Sequence, residues 1–420
     1  MSAAPAQFEP AAVAPLHEPP DAVPLAARLP AFDGLAVDPR AALEGSCLGV
    51  IGAGSIGRGV VERAARLHIG TIHVVDPGRF KAESMLTHCS LEPAEASRGE
   101  PKARSAAELA SRISPAIRAC YHTGPFEDLG PAALVDADMV VLATDNLAAE
   151  IAVAQHCLHL AKPLLHAAVY GDALVAQLRC YTNRPGRGPC LRCRMTAEEE
   201  DLLNGHVVFK CTGIPGDRTV VSRGRAPTMS TAFLCSLAAD LTMNQVLRSV
   251  LDLGAPIADC QVEWCGYTWR TVVSPLPDRS ATCRCDHRPW RVQRLGRPIE
   301  KATLRQLVAA SGLSGQRTGL SVQVDNLLFV DLGLCERCGL RPVRRFLCPG
   351  READTCGQCG GPVTAQPFFS SCPTPLSKLE GHLDVELGRL GAAGAAGVIV
   401  RGMDAGVLFH SRPDCPGKEA

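Results

Sequence analysis

Aromatic side chains make up only 4 % of this 420-residue sequence, too few for the stacking platforms that single-stranded nucleic acid needs. Net charge is missing too. Lys plus Arg is 43 and Asp plus Glu is 43, which excludes a broadly basic nucleic-acid binder and an acidic solvating tail. Long apolar runs are absent as well. Near the end of the chain the longest uncharged, largely apolar stretch, Leu390 to Val400, has eleven residues, mostly Gly and Ala, against the ~18 or more a spanning helix needs. The opening MSAAPAQFEP has no basic segment followed by an apolar one, so no secretory leader is expected. These absences point to a cytoplasmic protein without membrane or nucleic-acid partners.

Cysteine, by contrast, is abundant, with twenty in the chain. In a long chain without a leader, thiols and metal ligands are the expected use rather than a disulfide framework. At 46 % hydrophobic and 20 % charged, the sequence can bury a sizeable core and is not globally disordered.

Texture divides the chain into three parts. Residues 1–44 are rich in Ala and Pro and read as a flexible arm. Residues 45–292 alternate strand and helix patterns. LGVIGAG is a strand ending in Gly, Ile56 to His68 has helical period, and TIHVVD is a β-branched strand closing on an acid. Strand, helix and strand in about 30 residues make a βαβ unit, hence a parallel sheet with right-handed crossovers. The alternation continues through a helix at Lys102–Ile113, the strand ADMVVLATD, a helix over 148–161, the strands PLLHAAVY and VAQLRCY, and a long helix near 231–251. The fold class expected is α/β, a Rossmann-like, mostly parallel sheet with helices on both faces. Residues 293–420 read as a separate, smaller module: a short helix near 303–310, a strand GLSVQVDNLLFV, a Cys-rich knuckle and a tail containing VIVRG and GVLFHS.

The glycine loop Gly52-Ala53-Gly54-Ser55-Ile56-Gly57 follows a strand and opens a helix. Amides freed of side chains there can approach a phosphate at the helix N-terminus. Asp76 closes the next strand nineteen residues beyond Gly57, where an acid meets ribose hydroxyls. That much fits NAD and ATP equally. Lys102, in the first turn of a helix after Gly99-Glu100-Pro101, is a fixed cation suited to a triphosphate. Asp145, in Ala143-Thr144-Asp145-Asn146, ends a strand on the same sheet edge and can hold Mg²⁺.

The order GAGSIG, VVD, GEPKA, ISP, ATDN, PLLHAAVYGDALVAQ and PCLRC resembles the ThiF/MoeB/HesA family of ATP-dependent activating enzymes, over residues 46–290. The resemblance implies adenylation of the C-terminal carboxylate of a small ubiquitin-like or sulfur-carrier protein, followed in some members by thiol capture. It also implies pairing as a homodimer. Gly52, Gly54 and Gly57 would then line the phosphates, Asp76 would bind ribose, Lys102 would neutralise the triphosphate and Asp145 would ligate Mg²⁺. The sequence departs from the family at several charged positions. Where the family has an Asn and then Arg-Gln, this chain has Ser84, Thr87 and His88, and the Arg expected five residues after Asp145 is Glu150. An electrostatic donor of that kind can be worth ~10²-fold in rate; Arg79, Lys81 or an arginine lent by a partner subunit are the candidates to replace it. Two further readings stay open, a non-catalytic adaptor that keeps the fold and an NAD-dependent oxidoreductase resting on the glycine loop and Asp76 alone.

The cysteines form two knots. Cys190-Leu-Arg-Cys193 and Cys283-Arg-Cys285, with eighty-nine residues between them, can complete a tetrahedral Zn²⁺ site tying two loops together. The resembled family carries a structural zinc there, with CxxC in place of CxC as its second pair, and His287 is an alternative ligand. Cys335-Glu-Arg-Cys338 and Cys356-Gly-Gln-Cys359, with seventeen residues between them, have the spacing of a four-cysteine zinc site. Cys211, beside Lys210 in a Gly/Pro-containing loop, is the candidate nucleophile for a thioester or persulfide step.

Overall fold

The computed structural model describes residues 7–11, 37–185, 188–196, 230–254, 257–313, 319–348, 352–365 and 370–411. Its main sheet has nine strands: β1 Glu9–Pro10, β2 Cys47–Ile51, β3 Thr71–Val75, β4 Arg118–His122, β5 Met139–Leu142, β6 Leu164–Tyr170, β7 Val175–Tyr181, β8 Cys260–Cys265 and β9 Arg270–Pro275. They lie in the order β1-β4-β3-β2-β5-β6-β7-β8-β9. The five strands β4, β3, β2, β5 and β6 are parallel. β7, β8 and β9 continue the sheet as antiparallel neighbours, and β1 caps the opposite edge. The expected α/β class is observed, with the parallel character confined to the centre.

The central parallel strands β3, β2 and β5 are buried throughout, and their alternate residues enter different cores. In β5, Met139 and Val141 join one cluster, while Val140 and Leu142 join another. The first cluster is roofed by α2 Ser55–Arg66, α4 Lys102–Ile113 and the long helix Ala232–Val250. The second is roofed by α5 Leu147–His159 and the short turns Phe126–Asp128 and Pro131–Leu134.

Two short helices, one before α2 and one between α2 and α4, complete this part of the chain. α1, Pro39–Glu44, falls inside the segment read as a flexible arm, and its Leu43 is buried in the first core. The cause is local. Asp38 accepts a hydrogen bond from Arg40 N, and proline sits at the helix start, a favoured N-terminus. α3, Pro93–Arg98, ends on Gly99 in the left-handed region.

The second module is two sheets. One has the order β10-β19-β18-β11-β17, from β10 Arg291–Arg294, β11 Ser321–Val324, β17 Thr374–Pro375, β18 Gly397–Arg401 and β19 Gly406–His410. The other orders β13 Gly339–Leu347, β12 Leu328–Cys335, β15 Pro362–Ala365 and β14 Glu352–Thr355, with β16 Ser370–Ser371 also pairing β12. The single strand expected across GLSVQVDNLLFV is thus two. Asp325 breaks it at a φ of 38°, and its carboxylate accepts from Ala396 N at 2.7 Å.

The two modules share a core. On β18, Val398 and Val400 face the second module's own cluster, while Ile399 packs into the second cluster of the main sheet; on β19, Val407 and Phe409 alternate with Leu408 in the same way. Trp290 stacks on His159 with centroids 4.1 Å apart. Hence the boundary near 293 is a seam within one packed body rather than a linker.

A buried ion pair pins the segment between β3 and α4. Arg58, 1 % exposed, follows Gly57 directly in α2. It donates to Glu95 Oε2 at 3.0 Å, Ser105 Oγ at 2.6 Å and Ser90 O at 2.9 Å. Removing one partner of such a pair costs about 3–5 kcal/mol, whereas replacing both with apolar groups can be neutral. Glu95→Ala is therefore expected to lower the denaturant midpoint sharply, and Arg58→Met with Glu95→Leu to recover most of it. Equal midpoints for wild type and Glu95→Ala would remove this account.

Candidate functional site at the carboxyl edge of the sheet

The C-terminal ends of β2, β3 and β5 lie side by side and bring three chain segments together. The turn after β2 is fixed by Gly52 N donating to Val75 O and Ala143 N donating to Ile51 O, both at 2.8 Å. Gly52 has φ +94°, and a Cβ there would lie 2.4 Å from Ala143 O. At Gly57 a Cβ would sit 1.8 Å from Gly52 O, so only glycine allows α2 to start this close to the turn. Gly54, the residue before α2, differs: a Cβ there meets no described atom within 4 Å. Gly54 keeps open a space in front of the first helical amides, which have no intrahelical partners.

Asp76 stands 9 % exposed at the end of β3. Its carboxylate accepts from Ala53 N and Gly78 N, both at 2.6 Å, and so ties the glycine turn to the next loop. Each oxygen keeps a second lone pair for another donor. Lys102 N donates to Gly78 O at 2.9 Å. A Cβ on Gly78 would lie 3.4 Å from Lys102 Cδ and 2.8 Å from Asp76 Oδ1, so the lysine stem runs over Gly78 beside Asp76.

Asp145 is exposed, and the helix cap after it is Asn146, whose side chain accepts from Ala148 N and Ala149 N. Gly52, Gly54, Gly57, Asp76, Lys102 and Asp145 all belong to this edge.

The positions that depart from the resembled family have other partners. Glu150 Oε1 lies 3.8 Å from His166 Nε2. Burial first, then Arg179 and Arg194, push His166 down to about 3. Arg79 donates to Gly99 O at 3.0 Å, and Lys81 pairs with Glu83 at the surface. His88 is buried beside Ser55, with Nδ1 at 3.3 Å from its Oγ. Its place in the Arg-Gln position was the available signal.

Both cysteine knots assemble. Donor atoms of Cys190, Cys193, Cys283 and His287 lie within 4.8 Å of one another, as do those of Cys335, Cys338, Cys356 and Cys359. The first set differs from the expectation at one residue. Cys285, expected as a ligand, is buried against Cys190 and gives its N–H to Cys283 Sγ at 3.4 Å, while His287 Nε2 reaches Cys283 Sγ at 3.3 Å and Cys193 Sγ at 3.4 Å. The Cys285 thiol stays in hydrogen-bond contact with Cys190, so Cys285 and His287 both border the site, and the set whose donors all lie together includes His287. The second set sits on two hairpin tips, between β12 and β13 and between β14 and β15. Within this cluster the thiols share their protons: backbone N–H groups of Gln358 and Cys359 hold the Cys356 thiol down, while the Cys335 and Cys338 side chains push Cys359 up. Besides the cysteines, only Val363 is buried in that cluster, too little apolar surface to hold it.

Of the thiols given no role, Cys157 and Cys180 are pushed up by burial, as inert core cysteines are. Cys211, the candidate nucleophile, lies outside the described residues. Among the described residues no helix is long and apolar enough to cross a membrane.

A protein-family model described as the ThiF family matches residues 27–285. The adenylyltransferase and sulfurtransferase MOCS3 of Arabidopsis thaliana is 30% identical over 166 residues, covering 39% of this chain and 34% of the relative. A sulfur carrier protein adenylyltransferase of Thermus thermophilus is 30% identical over 146 residues, covering 34% of this chain and 53% of the relative. The chain thus spans about a third to a half of the length of these curated relatives. Among solved structures, E. coli MccB with ATP has a TM-score of 0.45 and 18% identity, over 58% of this chain and 67% of that one.

Two outcomes follow from the site geometry. Gly54→Ala should leave stability within about 0.5 kcal/mol of wild type, as an uncrowded surface change does, whereas Gly57→Ala should cost about 1–3 kcal/mol through overpacking. Equal denaturation midpoints for the two would contradict the geometry. Elemental analysis should find two zinc ions per chain, one for each donor set. His287→Ala and Cys356→Ser should each lose one, and Cys285→Ser none. Zinc kept by His287→Ala but lost by Cys285→Ser would return the fourth ligand to Cys285.

Proposed function

The chain belongs to the ThiF family, and from that premise we propose that it adenylates a carboxylate with Mg-ATP, the carboxylate being the C-terminus of a small ubiquitin-like or sulfur-carrier protein. The observation that carries this reading is the position of Lys102, whose stem passes Gly78 next to Asp76 at the mouth of the glycine loop. A dinucleotide site needs the loop and the acid but not the cation, whereas a triphosphate needs all three.

In the reaction, a carboxylate oxygen of the carrier attacks the α-phosphate of ATP. The bond to the β-phosphate's bridging oxygen breaks, pyrophosphate leaves, and an acyl-adenylate forms. Amides at the start of α2 face the phosphates across the space that Gly54 keeps clear. Lys102 offsets the charge of the leaving pyrophosphate, a stabilisation that grows as the bond breaks. Asp76 accepts from the ribose hydroxyls with its remaining lone pairs. Asp145 would hold Mg²⁺, which neutralises phosphate charge and orients the leaving group. The two zinc sites are structural in this reading: one ties the loop after β7 to the loop after β9, the other holds the ribbon together. A thiol-capture step would fall to Cys211.

Glu150 in the place of the family arginine favours a second reading, a nucleotide-binding adaptor that does not turn over. Pyrophosphate exchange separates the two. With a small Gly-ended carrier protein, wild type should show Mg-dependent exchange of pyrophosphate into ATP. Lys102→Ala and Asp145→Ala should each lower it by roughly 10²-fold. Nucleotide binding without exchange, across the carriers tried, would favour the adaptor.

A further inference from the structure

Beside the proposed phosphate site, His88 is a buried titratable group with one nitrogen unaccounted for. Its Nδ1 lies 3.1 Å from Ser84 O, 3.1 Å from Thr87 Oγ1 and 3.3 Å from Ser55 Oγ. The Ser84 carbonyl can only accept, so Nδ1 carries the hydrogen and Nε2 is a bare lone pair. Nε2 is buried and has no hydrogen-bond partner among the described residues. Buried polar atoms are seldom left so, and this one belongs to a ring touching the first residue of α2, directly after Gly54. His88 also occupies a position where the resembled family has an uncharged amide, next to Thr87 in the place of an arginine.

We propose that His88 is a phosphate-binding residue: nucleotide binding brings a proton to Nε2, which then donates to the phosphate chain and supplies part of the positive charge that the missing arginine would have given. This rests on the ATP reading above and assigns a residue that the reading does not use.

The surroundings account for why the proton arrives only with the ligand. The ring faces the Lys102 ammonium from α4, the Arg58 guanidinium from α2, and the edge of Phe80, 5.4 Å away between centroids. The Arg58 charge is already paired with Glu95. Burial foremost, then Lys102, hold the imidazole down at about 4 in the absence of ligand, with Arg58 adding to it and the Ser84 carbonyl opposing. An anionic phosphate beside Nε2 reverses that local field and raises the value. The sign follows by linkage. A ligand that binds the protonated form better loses affinity as pH rises, starting above about 4 and continuing to the raised value.

The test is calorimetric titration of ATP at saturating Mg²⁺ near neutral pH, in two buffers of different ionisation enthalpy, on the full zinc-loaded chain. Proton exchange by ATP itself is common to every variant and cancels in the difference. Wild type should take up more protons per ATP than His88→Gln, whose amide donates without titrating and should retain most of the affinity. His88→Ala should bind roughly tenfold more weakly, as for loss of one charge-assisted hydrogen bond. Identical proton uptake by wild type and His88→Gln overturns the inference and leaves the ATP reading standing. No ATP binding by wild type overturns both.

Discussion

The Gly52 carbonyl oxygen occupies the space where a side chain at residue 57 would have to be, 1.8 Å from an ideal Cβ. Everything at the carboxyl edge depends on that close approach. It lets α2 begin directly over the end of β2 and turns the first helical amides outward past Gly54. It also sets Ala53 N where the Asp76 carboxylate accepts from it at 2.6 Å. Asp76 then fixes Gly78, Gly78 carries the stem of Lys102, and the backbone link from Lys102 N to Gly78 O closes the ring of contacts. A single steric requirement at one turn thus brings an acid and a lysine into one small volume, although 26 positions separate them in the sequence.

Much of this was visible in the chain itself, because the patterns involved are local. The helix expected at Lys102–Ile113, after the Gly99-Glu100-Pro101 turn, is observed at those bounds. The strand LGVI was a continuous apolar run, as a strand buried on both faces tends to be, and TIHVV was β-branched and closed on Asp76. What escaped sequence reading was long-range or conformational. α1 owes its place to Leu43 reaching a distant core, and the break at Asp325 is a left-handed turn in the middle of an apolar run. Joining the modules through Ile399 and Leu408 requires the two strands of a C-terminal hairpin to present alternate residues to different cores. Periodicity reveals that alternation but not what lies opposite. The convergence of His287 with Cys190, Cys193 and Cys283, while Cys285 sits against Cys190, has the same origin: spacing limits which donors can converge, while the path of the loop decides how neighbours are placed.

The departures from the family concentrate on charge. Where an arginine would lie near the phosphates, the chain has Thr87 and His88, and where another would follow Asp145 it has Glu150, close to the buried His166. Arg58, by contrast, is consumed by Glu95 and serves the architecture. The cationic side chain that the described contacts place beside Asp76 is Lys102. In the proposed reaction, a site so poor in permanent positive charge would make the phosphate chain depend on Lys102, on backbone amides and on a metal held by Asp145.

Nucleotide choice is therefore the most direct test of the account. ATP binding to the zinc-replete chain, measured with and without Mg²⁺ and beside NAD, should be Mg-dependent, lost in Lys102→Ala and absent for NAD. Binding of NAD without ATP, or ATP binding indifferent to Lys102, would contradict it.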